Sequence, residues 1–246
     1  TVTGTSTVFT GLSGSTAYTV EVYATSAGGA TATSSKSATT PVRQMTYAER
    51  VAADGATHYW PLATSGADSV GSMAMSALGA AFTGPPLGDG AASARIPTGG
   101  LLNATGAAID VSKPLSFEAL VQIATVGGSG SNWPIFAVGS GLSLCIYEAS
   151  AFAIDGVGLA SGVQWSAGTT RHVALTWDGS TWRVYVDGAQ VSTGSQASWS
   201  TTGPTSIGGR NGEARGFDGH VAGVATYGTA LTAAQVLAHA QSAGVA

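Results

Sequence analysis

The sequence predicts an all-β fold, an antiparallel β-sandwich with short flanking helices. Three observations predict it. Glycine supplies 36 of 246 residues without a G-X-Y period, and charged residues only 9%, against roughly 25% in an average globular chain. Abundant Gly, Ser and Thr with few Lys or Glu is the composition of short strands joined by tight turns. Apolar and polar residues alternate at period two in several segments, most clearly over Arg171–Val191. Two capping boxes, Thr46 with Glu49 and Thr232 with Gln235, mark the starts of two short helices.

Residues 1–40 read as three strands, Thr1–Thr10, Ala17–Ser26 and Ala30–Thr39, separated by Gly11-Leu12-Ser13-Gly14-Ser15 and by Gly28-Gly29 and closed by Pro41. In the second strand Tyr18, Val20, Val22 and Ala24 alternate with Thr19, Glu21, Tyr23 and Thr25. Residues 42–56 read as a linker and a short helix, with Tyr47, Ala48, Val51 and Ala52 as its apolar stripe and Gly55 at C′. Residues 57–246 form the main domain. Its stretch Leu115–Ala124 sets Leu115, Phe117, Ala119, Val121 and Ile123 on one face and Ser116, Glu118, Leu120 and Gln122 on the other. Ile135–Val138 and Leu142–Tyr147 follow. Arg171–Val191 is a three-strand meander that turns at Asp178-Gly179-Ser180 and at Asp187-Gly188. The last helix, Ala233–Ser242, carries Leu231 and Val236 as a hydrophobic staple and ends at Gly244.

Composition excludes several functions. Nine Lys and Arg against 13 Asp and Glu give a formal charge of −4, so the chain has no basic surface for nucleic acid or anionic lipid. No apolar run approaches the ~20 residues of a membrane span. The start Thr1-Val2-Thr3-Gly4 carries no signal peptide and no initiator Met, so a processed chain or a segment of a longer one is expected. Cys145 is alone among Leu142, Leu144 and Ile146 and reads as a small buried hydrophobe.

Phe9-Thr10-Gly11-Leu12-Ser13-Gly14-Ser15-Thr16-Ala17-Tyr18-Thr19-Val20 and the closing Thr39-Thr40-Pro41 resemble the second half of a fibronectin type III domain. That resemblance implies a tyrosine corner made by Leu12 and Tyr18. It also implies that residues 1–41 lack the first strands of their sandwich, so that an upstream continuation or a neighbouring copy covers their open face. Four further stretches are similar to the laminin G-like, concanavalin A-like jelly-roll family. They are His58-Tyr59-Trp60-Pro61-Leu62 with Gly66-Ala67-Asp68-Ser69-Val70-Gly71, then Leu115–Val121, then His172–Gly179 with Trp182–Gly188, and finally Ile207-Gly208-Gly209 with Phe217–Tyr227 and Ala230–Val236. The family implies two stacked antiparallel sheets of near 14 strands. Many members carry Asp-Glu where this chain has Ala222-Gly223, and those acids help hold Ca²⁺. Without them no metal or cofactor is expected, and Asp68 reads as a turn residue. The lead-in Tyr47–Gly55 resembles minor tail proteins of phages that infect actinobacteria.

Catalytic patterns are sparse: no HExxH, GxSxG, Walker or zinc spacing occurs. Glu118 is the best single acid, yet Ser116 and Leu120 stand where a glycosidase strand would carry its second carboxyl group. It therefore reads as a solvent-facing or concave-face strand residue, and His172 and His220 as packed or exposed. Trp60, Trp177 and Trp182 fall in phase with the core. Trp133, Trp165 and Trp199 lie in Ser-, Gly- and Asn-rich stretches; each is either a loop anchor or a ring on which a sugar stacks. Arg210-Asn211-Gly212-Glu213-Ala214-Arg215 is either a solvated loop or a polar rim beside a ligand. The expected ligand-binding set is Trp133, Trp165 and Trp199 with Arg210, Asn211 and Arg215. The expected function is a non-enzymatic binding and display module on a phage tail, at the virion surface or otherwise extracellular, contacting host glycan or tail-tip partners. A homo-oligomer is expected, with neither nucleic acid nor membrane as partner. The alternatives are an accessory carbohydrate-binding module of a secreted enzyme and a purely structural spacer.

Overall fold

The computed structural model describes residues 7–29, 31–88, 90–125, 132–139, 141–147, 151–154, 158–161, 163–199, 203–210 and 218–246. It contains two compact units, Thr1–Met45 and Thr46–Ala246. In the first, β1 (Ala17–Thr25) and β2 (Thr31–Thr39) pair antiparallel from Ala17 opposite Thr39 to Thr25 opposite Thr31. The expected strand over Thr1–Thr10 is not found where it is described: residues 7–10 are irregular, and 1–6 lie outside the described residues. Both faces of this ribbon are open, with Val22 and Tyr23 about 60% exposed (61% and 62%), because two strands cannot enclose a core.

The second unit opens with α1 (Tyr47–Ala53). The Thr46 side chain accepts from Glu49 N, and the Glu49 carboxylate accepts from Thr46 N, which completes the expected capping box. Fifteen strands follow among the described residues: β3 (His58–Trp60), β4 (Met75–Leu78), β5 (Ala81–Leu87), β6 (Ala91–Ile96), β7 (Leu101–Ala104), β8 (Leu115–Ile123), β9 (Asn132–Val138), β10 (Leu142–Tyr147), β11 (Ala151–Ile154), β12 (Gly158–Ser161), β13 (Thr170–Trp177), β14 (Thr181–Val186), β15 (Ala189–Ser195), β16 (Thr205–Ile207) and β17 (Gly219–Tyr227). The chain closes with α2 (Ala233–Ser242), capped by Thr232 and Gln235. One sheet has the order β12-β11-β10-β9-β16-β7-β4. The other runs β15-β14-β13-β8-β17-β6-β5, with β3 also on β17. The strands named in both orders pair antiparallel. The β14–β15 turn uses Asp187 and Gly188 at φ +49° and +79°, as a two-residue hairpin demands.

The sheets face each other across the main core, where Phe117 of β8 stacks on Phe136 of β9 with centroids 4.0 Å apart. Trp60, Trp177 and Trp182 are buried there as their phase predicts. A second apolar layer lies on the other side of the β8-containing sheet. Tyr47 and Val51 from α1 and Val236 from α2 join Leu120, Ala174, Tyr185 and Ala222 in it. The helix that the sequence places with the linker is thus part of the sandwich. Its stripe recurs at i and i+4, and that stripe needs a surface to cover it. β8 is consequently buried on both faces. Glu118, expected to face solvent or a concave surface, is fully buried instead.

Candidate functional site

Polar chemistry gathers where α1 and α2 cover the sheet. Glu118 projects from β8 between β13 and β17. Its carboxylate accepts from His172 Nε2 at 3.0 Å, from Tyr227 Oη at 2.5 Å and, with both oxygens, from His239 Nδ1 at 2.9 Å. His239 Nε2 reaches Asp54 Oδ2 at 2.7 Å, at the C-cap of α1. Burial by itself would raise the Glu118 carboxyl, but hydrogen bonds and charge from His172 and His239 outweigh it and bring it down to about 2. Burial would lower His239, and its bonds to Glu118 and Asp54 outweigh that and raise it. Burial and the Glu118 charge push the phenols of Tyr47 and Tyr227 far upward, so both stay neutral donors. Glu118 is the only acid inside a strand of the sandwich among the described residues. Sealed from solvent and engaged by three side chains, it has no route to a glycosidic oxygen.

Sequence reasoning missed His239. A signal existed: with Val236 and Ala240 it occupies i, i+3 and i+4 of one helical stripe, and all three are fully buried. A polar residue on such a stripe requires partners from elsewhere in the fold.

Asp68 is a turn former. Its Oδ1 accepts from the amides of Tyr59, Val70 and Gly71 at 3.1, 3.1 and 2.8 Å, and its Oδ2 from Met73 N at 3.1 Å and His58 Nδ1 at 2.6 Å. Those lone pairs are committed to the loop, with the side chain 1% exposed. At Ala222-Gly223 the backbone bulges against β8, and Gly223 has φ +56°. Tyr47 covers the position and donates to Gly223 O at 2.9 Å.

Among the described residues of the expected ligand set, Trp133, Trp165, Trp199 and Arg210 do not gather on one exposed surface. Trp165 and Trp199 are 4% and 6% exposed and belong to the main core; Trp199 lies edge-on to Trp177 at 6.0 Å. Of the two readings of these rings, this burial fits the loop anchor packed on the sandwich rather than the exposed stacking surface. A large apolar ring gains more from closing the sandwich than from meeting water. Trp133 is half-buried against the same core and lies opposite Ile146 on β10. Arg210 Nη2 donates to Ser143 Oγ at 2.7 Å, on the opposite face of β10 from Ile146, so Trp133 and Arg210 serve different sides of the sheet. Asn211 and Arg215 lie outside the described residues.

An open bowl of about 420 Å³ lies between the loop joining β7 to β8 and the segment entering β16. Ile109, Val111 and Pro204 supply apolar wall, and Thr105 and Asp110 polar groups. Thr205 fixes the loop, donating from its N to Gly106 O at 2.9 Å and accepting at Oγ1 from Ala108 N at 2.7 Å. The Ser112 hydroxyl and amide and the Lys113 ammonium hold the Asp110 carboxyl below its usual range. Apolar wall with a few oriented acceptors suits a small hydroxylated ligand.

Residues 101–237 match the family described as the concanavalin A-like lectin/glucanases superfamily. No curated protein matches the chain. Several solved structures share its fold. Domain 4 of AbnA, a GH43 extracellular arabinanase from Geobacillus stearothermophilus in complex with arabinotriose, is 18% identical with a TM-score of 0.58, over 76% of this chain and 98% of that domain. Trypanosoma rangeli sialidase in complex with the inhibitor DANA is 16% identical with a TM-score of 0.59, over 76% of this chain and 32% of the sialidase. The chain therefore spans about a third of that enzyme. The binding domain of Paraclostridial Mosquitocidal Protein 1 is 9% identical with a TM-score of 0.52, over 66% and 44% of the two chains. At these identities the likeness is one of fold.

Proposed function

The chain belongs to the concanavalin A-like lectin/glucanase superfamily, and from that membership we propose that it is a non-catalytic carbohydrate-recognition and display module. The observation that carries this reading is the division of its polar groups. The one strand acid of the described sandwich is sealed beneath two helices, whereas Asp110 and Thr105 face an open bowl of about 420 Å³ with apolar wall. A sugar offers that bowl apolar C–H faces and hydroxyl donors. Display on a phage tail, beside other tail subunits or further copies of the chain, rests on the lead-in Tyr47–Gly55. The reading of residues 1–41 as the closing half of a fibronectin type III domain is supported by Tyr18, whose Oη accepts from Ser13 N at 3.0 Å as a tyrosine corner requires. An accessory module of a secreted enzyme is the second reading, favoured by the AbnA domain, which was seen with arabinotriose and is covered over 98% of its length.

The test is binding of the chain to a glycan array and to actinobacterial cell walls, with Asp110→Ala, Thr105→Ala, Trp133→Ala and Arg210→Ala alongside. A hydrogen bond to a charged group is worth about 1.5–3 kcal/mol, so Asp110→Ala should weaken binding at least several-fold and leave melting nearly unchanged. Absence of any glycan or cell-wall binding by the wild type would favour the structural spacer. Hydrolysis of a bound oligosaccharide would overturn the non-catalytic reading.

A further inference from the structure

Both ring nitrogens of His239 face carboxylate oxygens. Nδ1 lies 2.9 Å from each oxygen of Glu118, and Nε2 lies 2.7 Å from Asp54 Oδ2. An ionised carboxylate only accepts, and a neutral imidazole has one N–H. Satisfying both contacts therefore takes an imidazolium. This ring is also where three elements meet: it projects from α2, Glu118 from β8 and Asp54 from the end of α1. We infer that docking of the C-terminal helix onto the sheet is locked by the second ring proton of His239, and that loss of this proton at alkaline pH frees the helix.

Among the described residues, no other hydrogen bond to the ring replaces that proton. On β17, Tyr227 spends its hydroxyl hydrogen on Glu118. On α1, Tyr47 stands edge-on to His239 at 6.3 Å and spends its own on Gly223 O. On β13, His172 turns Nε2 to Glu118, and its Nδ1 is buried without a partner. A deprotonated Nε2 would direct a lone pair at the Asp54 carboxylate inside a site where the ring has no exposure. The repulsion is relieved by separating α2 from α1 and the sheet. Separation uncovers the layer in which Leu231 and Val236 pack with Leu120, Ala174 and Ala222. Below its release point the lock is closed, and above it that apolar face becomes available.

Two measurements on the intact chain test this. In ¹⁵N-resolved NMR near neutral pH, both ring nitrogens of His239 should carry protons, with a titration midpoint above about 6.5. For each unit that the midpoint exceeds this value, helix docking should weaken about tenfold on deprotonation. Amide exchange across residues 233–242, corrected for intrinsic rates, should accelerate relative to β8 between about pH 6 and pH 9, by the factor that the measured midpoint sets. Asp54→Asn supplies an amide that donates to a neutral Nε2, so the variant should keep α2 protected at both pH values. A neutral His239 ring at pH 7 in the wild type, or helix protection that does not change with pH, would overturn the lock. So would an Asp54→Asn chain with undiminished pH dependence.

Discussion

The ring of Tyr47 fills the space that a side chain at position 223 would need. A Cβ added to Gly223 would lie 2.6 Å from Tyr47 Cε1, and the Tyr47 hydroxyl donates to the Gly223 carbonyl at 2.9 Å. Gly223→Asp should therefore destabilise the fold. Left-handed backbone and overpacking together should cost about 2–4 kcal/mol. Tyr47→Phe should cost about 1–3 kcal/mol by orphaning a buried carbonyl. Urea unfolding of both variants checks these values.

The Glu118–His239 pair sets a pH window for stability. The folded His239 is raised above 6.5, so its contribution is complete below 6.5 and is lost as pH rises through the folded value. Glu118 is lowered from 4.5 to about 2, so its contribution is complete above 4.5 and is lost as pH falls toward 2. Thermal stability should be greatest between pH 4.5 and 6.5 and decline on either side. Glu118→Gln should cost about 3–5 kcal/mol, because it removes the fully buried one of the two carboxylates that face the His239 ring. Melting curves across the pH range, with and without this substitution, provide the check.

Burial separates the tryptophans. Trp165→Ala and Trp199→Ala should behave like Trp177→Ala and cost about 3–5 kcal/mol each. Trp133, half-buried, should cost less. Equilibrium unfolding of the four variants ranks them, and a Trp165 or Trp199 variant as stable as wild type would contradict their place in the core.

Asp68 predicts the outcome of metal removal. Its oxygens already receive four backbone amides and the His58 ring, and a tightly held ion would add RT ln(1 + [L]/Kd) to stability. EDTA should leave the melting temperature unchanged. Asp68→Ala should lower it, since those amides lose their common acceptor; about 1–3 kcal/mol is expected for the group. A melting temperature that falls on chelation and returns with Ca²⁺ would refute this.

The sequence by itself determined those elements that carry a strong local pattern, and left β4 to β7, β11, β12 and β16 unplaced. Period-two runs placed β8, β10, β13, β14 and β15, and the capping boxes placed α1 and α2, because each pattern depends on residues a few positions apart. The ordered aromatic and glycine motifs were enough to specify the sandwich. Tertiary structure alone decided what each polar or aromatic side chain meets. Glu118 finds His172 54 residues away and His239 121 residues away, and no local pattern links positions so far apart. The second face of β8 became interior because α1 and α2 fold back across it. Trp165 and Trp199 became core for the same reason: loops close the sandwich only after its sheets have met. The first unit shows the converse. Its alternation forms a ribbon, but alternation cannot supply the layer that would bury either face.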